Sequence, residues 1–287
     1  VPHIRKTIRD IQPDQRPCLV VSAGPSLYRQ NILKRVAESA FTGSIVATDG
    51  AYIQCLKAGI TPDWVITIDP HPTRIVRWFG DPDWEENSKH DDYFKRQDLA
   101  EDFRADSARQ NAENIQAVDR AQAKLAICSA AAANVVARTA RMDRFWFAPL
   151  VDNPDEEGIT RSICAETGLP ALNTGGTVGT AAWIFANQVL RSEQIAVVGM
   201  DFGYYLDTPL EKTQSWHMLG GEPEMYPRRQ GYWGEHYTDP TYWFYRRGFL
   251  DLLEAADAGV VNCSEAGLLC GARVHCMGLD EWLESCS

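Results

Sequence analysis

The sequence predicts an α/β fold of the Rossmann-like kind, a mainly parallel sheet with helices on both faces. Short apolar runs rich in β-branched residues alternate with segments of helical periodicity, as strand–helix–strand units do. Five of the runs stop at glycine or a polar residue: Cys18–Leu27 (CLVVSAGPSL), Ile45–Gly50 (IVATDG), Trp64–His71 (WVITIDPH), Ile195–Phe202 (IAVVGMDF) and Val260–Glu265 (VVNCSE). In an open parallel sheet the strand carboxyl ends face one crevice, where ligands bind. The pattern therefore delivers Gly24, Ser26, Asp49, Asp69, Asp201 and Glu265 to one rim.

The elements follow in order. After a polar leader, Cys18–Gly24 forms a strand and Leu27–Ala40 a helix, with Leu27, Ile32, Leu33, Val36 and Ala40 at helical spacing. A second strand ends at Asp49-Gly50, and the short helix after it stops at Gly59, a helix-terminating residue type. Asp63–Asp69 is the third strand. Residues 81–122 are charged and rich in Ala and Gln, and read as a solvated helical insertion. Strands resume at Lys124–Ser129 and Arg144–Leu150, before an irregular acidic stretch (DNPDEEG). LNTGGT (Leu172–Thr177) then leads into the apolar helix Val178–Leu190 and the strand Gln194–Asp201.

Residues 204–247 are crowded with Tyr, Trp, Gly and Pro. A loop of that length inside a compact domain is either a functional lid or disordered. Helix Tyr242–Ala256, strand Gly259–Glu265 and a short amphipathic helix (LDEWLESC) complete the chain. Residues 1–287 thus read as a single nucleotide-binding domain with two insertions, 81–122 helical and 204–247 lid-like.

Composition narrows the function. The chain is 45% apolar and 23% charged, with a net charge of −11, which argues against a nucleic-acid partner. A phosphorylated ligand stays open, because helix amino termini and a few arginines supply local positive potential. No apolar run approaches the roughly 20 residues of a membrane helix. The amino terminus, VPHIRKTIRD, lacks the apolar stretch of a signal peptide, so a cytoplasmic enzyme is expected. The eight cysteines match no zinc or disulfide spacing and read as reduced thiols.

Each candidate residue has a functional and a structural reading. Gly24, Pro25 and Ser26 occupy the first strand–helix turn, where glycine admits a phosphate and serine caps the helix; a plain capped turn is the alternative. Asn173, Thr174, Gly175, Gly176 and Thr177 repeat that arrangement, to grip a second phosphate or a sugar carboxylate, or only to let helix and strand pack closely. Asp49 (with Gly50), Asp69 and Asp201 could bind ribose hydroxyls or a divalent metal such as magnesium, or cap helices and turns.

Six histidines remain. His3, His90 and His275 have no supporting context, whereas His71 lies on the rim beside Asp69. His217 and His236 lie in the aromatic stretch, where an imidazole suits acid–base work. The aromatics Trp216, Tyr226, Tyr232, Trp233, Tyr237, Tyr242 and Trp243 could stack on a base or sugar, or form a homo-oligomer contact. Arg228 and Arg229 among them could fork onto a phosphate or carboxylate.

AGPSL, ATDGA, GITPDWVITIDPHP, NTGGTVGTA, VVGMDFGY and VNCSEAGLL occur here in one order. That order resembles the family joining bacterial motility accessory factors with archaeal MptE-like pterin pyrophosphokinases, from about Pro17 to Met277 outside the two insertions. The fold so implied is similar to that of bacterial sialyltransferases. The pyrophosphokinases show an Asp-x-Asp-Gly run after the third strand and a later His-x-His-Gly-Asp-Asn run. Here the two places read Ile68-Asp69-Pro70-His71 and AICSAAAANVV (Ala126–Val136), and the first matches the motility-factor pattern.

The resemblance therefore implies a glycosyltransferase using a CMP-activated, sialic-acid-like sugar, with a glycan, protein or small-molecule acceptor. It places His217, Asp201 and Glu265 near the reacting centre. Two alternatives stay open: a 6-hydroxymethyl-7,8-dihydropterin pyrophosphokinase converting ATP to AMP, and a non-catalytic nucleotide-binding partner in glycan assembly.

Overall fold

The structure is a computed structural model describing residues 5–90, 101–153 and 155–286, with only the backbone of 90 and 101–107. The strands are β1 (Cys18–Val21), β2 (Ser44–Thr48), β3 (Trp64–Thr67), β4 (Lys124–Cys128), β5 (Asp143–Leu150), β6 (Ala171–Asn173), β7 (Ile195–Val198), β8 (Arg228–Gly231), β9 (Gly234–Tyr237), β10 (Val260–Asn262) and β11 (Val274–Cys276). Nine of them form one sheet in the order β11-β10-β7-β1-β2-β3-β4-β5-β6. Every pairing within it is parallel.

Burial on both faces explains why the strands read as continuous apolar runs rather than as alternation. All four residues of β1 are buried, and so are all four of β3 and of β7. Successive side chains still enter opposite layers. Val20, Val46 and Ile66 pack with Trp183 and Phe185, while Leu19, Val21 and Ala47 pack with Leu27 and Ile32. Each such burial contributes about 1.5–3 kcal/mol, so the sheet centre holds the strand ends in fixed positions.

Strand order locates the crevice. From β1 the sheet grows one way through β2 to β6, then the chain returns to the other side of β1 as β7, β10 and β11. The reversal falls between β1 and β7, with Val20 opposite Val197. Connections leave these neighbours in opposite directions, which opens a crevice at their carboxyl ends.

Some elements differ from the sequence reading. The expected helix Leu27–Ala40 is two helices, Ser26–Arg29 and Ile32–Glu38, broken at Asn31 with φ 51° and ψ 33°. Asparagine tolerates that left-handed backbone better than most residues, so periodicity alone conceals the break. The helix Val178–Ile184 passes into a π-helical turn at Phe185–Val189. Strands β6 and β11 are three residues each, too short to show a period. Helices Ala133–Arg138 and Ile159–Thr167 were also unforeseen; Asp152 starts the second by accepting the amides of Ile159 and Thr160 at 2.6 and 2.9 Å.

The insertion expected at 81–122 contains helices Trp84–His90 and Glu101–Arg120, and its residues 91–100 lie outside the described residues. Residues 204–247 are more ordered than their composition indicated. β8 and β9 pair as an antiparallel hairpin, and Tyr204 and Tyr237 exchange backbone hydrogen bonds at 2.7 and 2.9 Å. Helix Pro240–Ala255 follows, started by proline and by Asp239, which accepts the Tyr242 amide at 2.8 Å. Among the described residues no helix is long and apolar enough to cross a membrane.

Candidate functional site

A cleft of about 600 Å³ opens at the carboxyl ends of β1, β2, β3 and β7. Its walls are Ser22–Pro25, Asp49-Gly50, Ile68–Pro70, Gly176–Gly179 and Gly199–Gly203, with Glu211–Gln214, His217 and Met218 from the long loop and Tyr242 and Tyr245 from the helix after it. Gly24, Pro25, Asp49, Gly50, Asp69, Gly176, Thr177, Asp201 and His217 thus share one space. Ser26, Asn173, Thr174, Gly175 and Glu265 do not line it.

The β1 turn is occupied by the protein itself. Asp201 is 4% exposed and accepts from the Ser26 amide at 2.8 Å and the Ser26 hydroxyl at 2.6 Å. The Gly24 amide donates to Gly199 O at 2.8 Å, and a Cβ on Gly24 would sit 2.7 Å from Asp201 Oδ2. The Ser26 amide expected to face a phosphate is therefore spent on a carboxylate, and the space around Gly24 is filled by backbone and Asp201. Gly24 serves a close crossing of two strand exits. Burial pushes the Asp201 carboxyl up to about 6, against the lowering effect of the two Ser26 hydrogen bonds.

Asp49 is also buried, accepting from Thr67 Oγ1 and from the Gly50 amide, both at 2.7 Å. Burial raises its carboxyl to about 6 as well, against those two bonds and with a further push from the charge of Asp69. Asp69 itself is exposed, and its Oδ1 accepts the His71 amide at 2.8 Å. His71 Nδ1 in turn accepts the Arg74 amide at 3.2 Å. The three aspartates thus have separate duties. Among the described residues no group of three His, Cys, Asp or Glu side chains forms a set that could hold a metal ion.

In the glycine turn before the Val178 helix, Asn173 Oδ1 accepts the Gly175 amide at 2.9 Å and Thr177 Oγ1 accepts the Thr180 amide at 3.1 Å. Gly175 and Gly176 have φ of 55° and 82°, where a side chain is strained. The added Cβ at Gly175 would strike Thr180. Asn173 and Gly175 are thus bonded within the turn and off the cleft wall, while Gly176 and Thr177 reach the cleft.

Glu265 is placed away from the cleft. Its carboxylate receives both terminal nitrogens of Arg35 at 2.8 and 2.9 Å and the Leu279 amide at 2.8 Å. The Arg35 bonds hold it below the usual carboxylate range. It clamps the helix Leu279–Ser285 to the helix carrying Arg35, a partner 230 residues away in sequence.

His236 is buried, with Nε2 accepting the Gly267 amide at 3.1 Å and Nδ1 within 3.2 Å of Gly234 O, and desolvation lowers its pKa. It braces the hairpin. His217 is exposed and lines the cleft. His275 is exposed on β11, and His3 and the His90 side chain lie outside the described residues.

The aromatic stretch divides. Tyr242 lines the cleft; Tyr226 is buried against Tyr204 and Trp216, with centroids 6.2 and 5.9 Å apart. Tyr232, Trp233 and Trp243 are exposed outside it. Arg228 and Arg229 also lie outside, exposed on β8.

The cleft's cations come from residues the sequence reading passed over. Arg74, Arg77 and Lys212 line it, as do Ser22, Trp78 and Tyr245. Arg77 is 8% exposed and stacks on Trp78 with its guanidinium carbon 4.6 Å from the ring centroid. A signal was present: two arginines three residues apart follow the Asp69 strand end at once.

Residues 1–79 match the family model described as 6-hydroxymethylpterin diphosphokinase MptE-like. That segment contributes the β1, β2 and β3 walls, including Arg74 and Arg77. No curated protein matches the sequence. Among solved structures, the Maf glycosyltransferase from Magnetospirillum magneticum AMB-1 aligns with a TM-score of 0.50 and 13% identity, over 93% of this chain and 34% of its own. This chain spans about a third of that neighbour's length, and at such identity the likeness is one of fold. The resemblance read from the motifs thus meets an MptE-like match in the amino-terminal part and a glycosyltransferase's Rossmann-like fold over most of the chain.

Proposed function

We propose that this protein is a nucleotide-dependent transferase that binds a CMP-activated, sialic-acid-like sugar in the cleft and passes the sugar to an acceptor hydroxyl. The observation that carries the reading is the cleft's position: it lies at the strand-order reversal between β1 and β7, with carboxylates and cations on its walls. In this reading Asp49 and Asp69, both on the cleft wall, would meet the nucleoside, and Gly176 and Thr177 the donor.

In the step proposed, the acceptor oxygen attacks the anomeric carbon as the bond from that carbon to the phosphate oxygen breaks. The phosphate leaves with the bonding electrons, and the acceptor proton passes to His217. Cations on the wall stabilise the charge developing on the leaving group. Solvent access at His217 suits a residue that must meet an incoming acceptor.

Thermal shift with CMP, CDP, UDP, ATP plus magnesium, and a pterin tests the reading. Cytidine nucleotides are expected to stabilise most, because the chain departs from the pyrophosphokinase pattern at Asp69–His71 and at Ala126–Val136. A ligand at one hundred times its dissociation constant adds about 2.7 kcal/mol. The match over residues 1–79 supports a second reading, a pterin pyrophosphokinase. A shift with ATP plus magnesium alone, accompanied by AMP release, would establish that second activity and reject the first.

A further inference from the structure

We propose that Arg74, at the exit of β3, takes up the anionic group of the ligand, and that the glycine turn after β1 does not; the inference rests on the nucleotide-sugar reading of the cleft. The β1 turn has no amide to offer at Ser26, and a phosphate lodged there would face the Asp201 carboxylate at close range. Two like charges at such range repel, and the more strongly the less water lies between them.

Arg74 presents the opposite situation. It lines the cleft, and its Nε is buried without a hydrogen-bond partner. Among the described residues its guanidinium makes no ion pair, although the chain has 39 acidic side chains to 28 basic ones. Arg16, Arg29, Arg35 and Arg138 each pair with a carboxylate. A desolvated donor left unmade is unfavourable, and a ligand oxygen would satisfy it.

The Ser22 hydroxyl, just past β1, lines the same cleft at 7% exposure and has no partner either, so the ion-pairless guanidinium of Arg74 is what singles out the β3 side. Asp69 and His71 are positioning residues in this account, since Asp69 holds the His71 amide and His71 Nδ1 holds the Arg74 amide. The anion is a phosphate ester or a sugar carboxylate, both matched by the guanidinium fork.

Isothermal titration of wild type, Arg74→Ala and Arg74→Lys with inorganic pyrophosphate, CMP and free N-acetylneuraminate tests the inference, with melting curves to check folding. Arg74→Ala is expected to weaken at least one of these anions tenfold or more, and Arg74→Lys to recover part of the loss. Loss of pyrophosphate and CMP identifies the phosphate as the partner; loss of N-acetylneuraminate alone identifies the carboxylate. If Arg74→Ala does not fold, Arg74→Gln replaces it.

Tight CMP binding with the affinities of all three anions untouched by either substitution would overturn the inference and leave the nucleotide-sugar reading standing. Pyrophosphate binding that needs Arg74, with CMP no tighter than pyrophosphate, would keep the inference and reject that reading. Wild type that binds none of the three would reject both.

Discussion

The two margins of the cleft are built on opposite plans. At the β1–β7 margin the polar groups named at the turn satisfy one another: Ser26 with Asp201, Gly24 with Gly199, and the Leu268 amide with Asp201 O at 2.7 Å. At the β3 margin Asp69 is exposed and the Nε of Arg74 is unsatisfied. One margin therefore behaves as a structural joint and the other as a surface prepared for a ligand. A glycine-rich turn at a strand end does not by itself say which of the two it is.

The largest expected effect breaks the joint. Gly24→Val would drive side-chain atoms into Gly199 O and Asp201, neither of which can retreat from a crossing also closed by Gly267. We expect a loss of about 3 kcal/mol or more, read as a lower urea midpoint, at the upper end of overpacking penalties. A Gly24→Val protein as stable as wild type but unable to bind nucleotide would return the phosphate to this turn.

His217→Ala tests the open side. Turnover should fall by about 100-fold, the usual scale for losing an acid–base group, with melting and donor affinity unchanged. If His217 serves only the packing of the loop, affinity and turnover should decline together. Donor calorimetry beside a transfer assay separates the two.

A smaller effect sharpens the comparison through pH. Burial raises the Asp201 carboxyl from 3.8 to about 6, so the folded state holds this proton more tightly than the unfolded state does. The stabilisation linked to it is complete below the unfolded pKa and is lost as pH rises through the folded one. The stability difference between wild type and Asp201→Asn should therefore move toward the variant between pH 4 and pH 7. The expected movement is about 2 kcal/mol by urea denaturation, and taking a difference removes the other titrating groups. A movement in the opposite direction would mean that the Ser26 hydrogen bonds outweigh burial.

These contrasts mark what could be read from the residues alone. The sheet was legible because β1, β3 and β7 are short apolar runs ending at polar residues, and the meeting of Gly24, Asp49, Asp69 and Asp201 at the cleft follows from parallel strands alone. Partnership was not legible. Glu265 ends its strand as the aspartates do, yet Arg35 claims it from 230 residues away. Ser26 reads as a free cap in the sequence, whereas the fold ties it to Asp201 across the joint, 175 residues on. Arg74 and Arg77 follow the Asp69 strand end in the sequence, but only the folded chain reveals that Arg74 has no ion partner among the described residues.

The central claim, that ligand engages the β3 margin and not the β1 turn, is tested most directly by amide hydrogen exchange with and without CMP. The account predicts slower exchange across Ile68–Trp78 on binding, with Ser22–Leu27 unchanged because the ligand takes no amide of the β1 turn, where the Ser26 amide is held by Asp201. Slowing confined to Ser22–Leu27, with Ile68–Trp78 unaffected, would contradict it.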